Sequence, residues 1–130
     1  MKIKNNFILA IIQCLVGIMA IPAGFSFILQ PDGTGLGMST GVLEGSPFSD
    51  FLIPGIFLVF FNGVFHIIGS VLTYKGVKIS SIVGLGLGIY LALWICIQVY
   101  FIGLSHFLQP LFLFVALMEI FLSYQIMRKN

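Results

Sequence analysis

The six basic side chains of this chain stand at only three places: Lys2 and Lys4, Lys75 and Lys78, and Arg128 and Lys129. Between these anchors run four apolar stretches, at 7–29, 51–74, 80–102 and 110–127. A helix rises about 1.5 Å per residue, so ~20 residues cross a hydrocarbon core of ~30 Å. Inside lipid a lone segment must satisfy its backbone N–H and C=O groups internally, which confines such stretches to helices. The expected fold is therefore all-α: an integral membrane four-helix bundle, one transmembrane domain over residues 1–130. An ordered extracytoplasmic loop is expected at 30–50, between helices one and two.

Charge excludes most other classes. Charged residues are 8% of the chain, against about 25% in a soluble domain. The chain cannot cover a water-facing surface. The net charge of +2 is no nucleic-acid signal, because every basic residue flanks an apolar stretch. Cys14 and Cys96 fall inside apolar stretches, without metal-ligand spacing, and are expected to be small core residues.

The start resembles a signal peptide, with Lys2 and Lys4 before an apolar run. Ile18-Met19-Ala20 is not an A-x-A site, so an uncleaved first helix is expected. Pro22 should kink or loosen it. If the four spans alternate, all six basic residues fall on one side of the membrane. Asp32, Glu44 and Asp50 fall on the other. The positive-inside rule then places both termini and the Lys75–Lys78 turn in the cytoplasm and the long loop outside.

The loop opens with turn chemistry. In Pro31-Asp32-Gly33, Pro presets φ, Asp bonds its own backbone and Gly accepts positive φ. Ser46-Pro47 marks a second turn, and Ser49 or Asp50 suits a helix N-cap. Leu36, Met38, Val42 and Leu43 are interleaved, so the loop is expected to fold back on the bilayer or cap the bundle. Gln98 and His106 lie toward the same end. A hydrogen bond from Asp32 or Asp50 to Gln98 would dock the loop.

Each span carries a small or polar face at helical spacing. These faces are Gln13, Gly17, Ala20 and Gly24; Gly55, Asn62, His66, Gly69 and Thr73; Ser81, Gly84, Gly88 and Ala92; and Ala116, Glu119 and Ser123. Small residues let helices approach closely in lipid, so these faces are the expected seam. Gly84 and Gly88 form a GxxxG, which serves either packing within the bundle or a homodimer.

The basic anchors act as rulers. Gln13 lies nine residues after Lys4, His66 nine before Lys75, and Glu119 nine before Arg128. Three helices thus place a polar group roughly 13 Å above the anchors, near mid-bilayer. Glu119 is the only acid in any span. An ionised carboxylate there costs at least a few kcal/mol, so it must be protonated or paired. His66 is the expected partner, with Gln13 and Asn62 as neighbours. This layer is either a proton or ligand site, or a structural clamp that fixes helix register.

No catalytic triad order, nucleophile elbow, Walker sequence or CxxC occurs. Asp32, Glu44, Asp50 and His106 match no metal loop. No catalytic residue, metal or cofactor is assigned, and an enzyme is the least supported class. Two functions remain: binding or transport of a small molecule or lipid through the polar layer, or an accessory subunit whose outer loop docks on another membrane protein. The expected partners are the lipid bilayer and a second copy or a membrane protein; no nucleic acid is expected.

The residues Pro31, Asp32, Gly33, Gly35, Ser46, Pro47, Phe48, Leu52, Pro54 and Gly55, followed by Trp94, Gln98, Gln109 and Pro110, resemble a family of small four-helix bacterial membrane proteins with no assigned activity. The likeness runs from Ile12 to about Tyr124. It implies four helices in a bacterial inner membrane and supplies no catalytic residues. The architecture is also remotely similar to that of DoxX-like proteins.

Overall fold

The computed structural model describes residues 2–103 and 108–129. His106, expected beside the loop, lies outside the described residues. Helix α1 spans Lys2–Leu29. The second span has three parts: α2 at Leu52–Phe57, a π-helical stretch at Leu58–Val64, and α3 at Phe65–Lys75. Helix α4 spans Ser80–Ile102 and α5 spans Leu108–Lys129. The four spans are long and apolar enough to cross a membrane. Among the described residues the regular structure is helical throughout, which suits a multi-pass membrane protein.

Expected and observed spans agree to within a few residues, with two local surprises. Helix α1 runs unbroken through Pro22, whose ring is exposed. The irregularity instead falls in span two, where the i→i−5 bonds of the π-helical stretch widen the turn. Asn62 and Gly63 are both buried within this stretch. A single glycine, Gly63, does not by itself foretell a π turn, so periodicity does not predict it.

The spans close into a ring. Helix α1 lies along the whole of span two, α4 pairs with α5, α3 touches α4, and α1 touches α5. Glycine sets the closest approaches. A Cβ on Gly24 would stand 2.8 Å from the Gly55 carbonyl oxygen, and one on Gly55 would stand 3.0 Å from that of Gly24. A Cβ on Gly88 would lie 3.0 Å from the Ile120 backbone nitrogen. The GxxxG of Gly84 and Gly88 therefore faces α5 of its own chain. Of the two expected uses, packing within the bundle is the one this arrangement displays.

The connections obey turn chemistry. Helix α3 ends at Gly76 with φ 71°, where the Val77 N–H reaches the Leu72 carbonyl at 3.2 Å. That left-handed step is open to glycine and turns the chain at once into α4. The long connection holds two 3-10 turns, Thr34–Leu36 and Thr40–Leu43. Its base is closed by the Phe51 N–H donating to the Pro31 carbonyl at 2.8 Å.

Candidate functional site

Two apolar clusters divide the interior. Leu9, Leu122 and Ile126 pack near the basic end; Val16, Leu91 and Ala116 pack nearer the loop. Between them sits a band of buried polar side chains: Gln13, His66, Thr73, Glu119 and Ser123 are each wholly buried. A band of this kind inside a bilayer must bond to itself, since neither lipid nor bulk water can satisfy it.

The structure brings His66 and Glu119 together across the bundle. Nε2 of His66 lies 3.3 Å from Oε2 of Glu119 in hydrogen-bonding geometry. It is closer to Oε1, at 3.1 Å, but out of line for a hydrogen bond. The other ring nitrogen, Nδ1, is 3.1 Å from the Phe61 carbonyl oxygen. A carbonyl can only accept, so Nδ1 carries a hydrogen. Nε2 is left to face the Glu119 carboxyl group across the bundle.

The π-helical stretch makes this possible. Phe61 belongs to it, and His66 follows five residues later. In the widened turn the carbonyl is reachable by the ring on the same helix. The histidine is thereby oriented by its own span and aimed at the opposite one. Single π turns within α-helices occur frequently at functional sites.

Gln13 is not in this pair. Its Oε1 accepts from the Thr73 hydroxyl at 2.9 Å. Thr73 lies about two turns from His66, toward the basic end. The polar layer is therefore two tiers rather than one, and side-chain direction explains the split. Helical side chains lean toward their own N-terminus. Helix α1 starts at the basic end, so Gln13 leans that way. His66 and Glu119 sit on spans that start at the loop end and lean toward the loop.

The lower tier has open valences. Gln13 Nε2 and Ser123 Oγ have no hydrogen-bond partner among the described residues. Both lie against Gly84: a Cβ there would be 3.2 Å from Gln13 Nε2 and would collide with Ser123 Oγ. Glycine thus leaves room where two polar atoms converge. Asn62 is buried as expected, but its Oδ1 is unpartnered and it bonds neither His66 nor Glu119. Thr73 and Ser123 are absent from the site expected from the sequence. Their signal was present: Ser123 is four residues after Glu119 and Thr73 seven after His66, on the same helix faces.

The loop acids do different work from that expected. Asp32 Oδ1 accepts from the Thr34 N–H at 3.0 Å and its hydroxyl at 2.7 Å. These bonds hold its carboxyl below the usual carboxylate range. Asp50 Oδ1 accepts from the Leu52 N–H at 3.0 Å, capping α2. Glu44 is exposed. Gln98 accepts from Gln109 Nε2 at 3.0 Å. No bond from Asp32 or Asp50 to Gln98 forms, because short-range backbone partners win over a distant amide. The loop docks instead through apolar groups: Leu43 and Phe51 are buried, and Phe51 stacks on Phe27 of α1 at 4.6 Å between ring centres. No cluster of His, Cys, Asp and Glu able to hold a metal occurs among the described residues.

No family model, curated protein or solved structure matches this chain.

Proposed function

We propose that this chain binds or transports a small molecule or lipid in a bacterial cytoplasmic membrane, with the His66–Glu119 couple as its proton-binding centre. The observation behind it is the couple itself: two titratable side chains, wholly buried at mid-span, with Nε2 of His66 3.3 Å from Oε2 of Glu119. Ionisable groups are rare inside bilayers and mark proton and substrate pathways by default. Gln13, Asn62 and Ser123 add polar atoms without partners beside it, as a site that exchanges its guest requires.

Six basic residues at one end and three acids at the other support cytoplasmic termini and an ordered outer loop. Four thin helices leave little space for a path, which favours an oligomer. The test is infrared difference spectroscopy on protein in vesicles after a pH jump. A protonated-carboxyl band that responds to pH in the wild type and vanishes in Glu119→Gln, with helical content unchanged, supports the proposal. An unresponsive band, with Glu119→Gln lowering only the melting temperature, makes the couple a structural clamp.

A second reading has its own observation. The loop exposes Leu36 and Val42, at 46% and 36%. An accessory subunit would use them to dock on another membrane protein. Leu36→Ser with Val42→Ser would then abolish co-purification with that partner, while Glu119→Gln would not.

A further inference from the structure

We propose a second binding site, at the loop end of the bundle, that holds one hydrocarbon chain of a bilayer lipid beneath the loop. A cavity of about 200 Å³ lies there. The loop contributes Met38, Leu43 and Phe48 to it; the helices contribute Phe27, Leu58 and Trp94. It is separate from the polar tiers, none of whose residues line it.

The lining defines the guest. Of its two polar members, the Ser46 hydroxyl and the Gln98 carbonyl oxygen are already engaged, which leaves the Gln98 amide nitrogen as one donor in an otherwise apolar lining. The Ser46 hydroxyl donates to the Leu43 carbonyl at 2.7 Å and accepts from the Phe48 N–H at 3.2 Å. The Gln98 carbonyl accepts from Gln109 at 3.0 Å. No charged side chain lines the cavity. A polar guest would lose its own hydrogen bonds on entry, so the guest is apolar. Apolar cavities of this order, about 150 Å³, stay dry and take up hydrocarbon-like guests.

Size and place narrow it further. Pockets for whole ligands run from about 300 to 1,000 Å³. This one is smaller and fits a segment of a longer molecule. Ile97 lines the cavity and is also 54% exposed on the outer face of α4. The cavity therefore abuts the lipid-facing surface, where acyl chains are the abundant apolar group. A chain can enter sideways while its headgroup stays at the interface. The loop is the cover, its base closed where Phe51 bonds Pro31.

The sole tryptophan of the chain, Trp94, lies on the lining and reports occupancy. Phosphatidylcholine with brominated chains is titrated into protein in dodecyl maltoside micelles, and Trp94 quenching is followed. The expected curve saturates near one lipid per chain. Leu58→Phe, which fills the cavity, weakens the saturable phase at least tenfold. Leu93→Phe, on the exposed face beyond the lining, leaves it unchanged. Should Leu58→Phe fail to fold, Leu43→Phe fills the cavity from the loop. Quenching that grows in proportion to lipid and is equal in all variants overturns the proposal. So does saturation by brominated stearic acid but not by the phospholipid, which would make the guest a free fatty acid.

Discussion

The two ends of this bundle are held together by opposite means. Toward the basic end, helices are tied by polar atoms: His66 to Glu119, Thr73 to Gln13, and the Ser70 hydroxyl to the Ala10 carbonyl at 2.6 Å. Toward the loop the ties are mainly rings, with one amide pair, Gln109 to Gln98, between α5 and α4. Phe57 lies 6.4 Å from Trp94, Phe61 lies 5.3 Å from Tyr90, and Phe27 stacks on Phe51. In lipid, apolar contact is not driven by water, since the tails are as apolar as leucine. Polar ties select one arrangement because each donor needs its own acceptor. Rings tolerate shifts, and where they fail to fill space they leave a cavity. Specificity thus sits at one end of the molecule and adaptability at the other.

The comparison is broken most severely by removing one half of the buried couple. His66→Leu leaves the Glu119 carboxyl alone in the interior and is expected to cost about 3–5 kcal/mol. Chemical denaturation in mixed micelles measures it. The double variant His66→Leu with Glu119→Leu should recover much of that loss. A double variant no better than the single one would mean that the ring packs rather than pairs.

Next comes the closest seam. Gly88→Val pushes a side chain against the Ile120 backbone, and overpacking of this kind costs about 1–3 kcal/mol. Gly86→Val, where a Cβ would meet nothing within 4 Å, should cost little. Equal melting temperatures for the two would place α5 elsewhere. Thr73→Val removes one hydrogen bond between helices and should cost about 1 kcal/mol or less, which a double-mutant cycle with Gln13→Leu can resolve.

The smallest effect lies in the loop. The bonds from Thr34 lower the proton affinity of Asp32. A group whose folded value is depressed contributes stability above its unfolded value, about 3.9, and loses it as pH falls further. Amide protection in the 33–38 turn, taken relative to the intrinsic exchange rate at each pH, should therefore fall on acidification in the wild type. In Asp32→Asn that protection should be nearly independent of pH over that range.

Much of this was legible before any coordinates. Length and apolarity define the four spans, because a bilayer leaves few alternatives. The pairing of His66 with Glu119 followed from depth and from the lone acid having one titratable partner in reach. Gln13 escaped that reasoning because counting residues locates a Cα, while the direction of the side chain decides which tier it joins. The π-helical stretch escaped because a lone glycine, Gly63, is equally compatible with a regular helix packed closely on its neighbour. The cavity escaped because it depends on how the loop settles, and Leu36, Met38, Val42 and Leu43 look alike in sequence although only Leu43 is buried.

The depth of the His66–Glu119 couple would have an electrical consequence if it exchanges a proton with the surfaces, as proposed above. A charge crossing the whole membrane works against about 2.3 kcal/mol per 100 mV, so reaching mid-depth takes about half of that. Proton exchange at the proposed centre would then respond to the membrane potential.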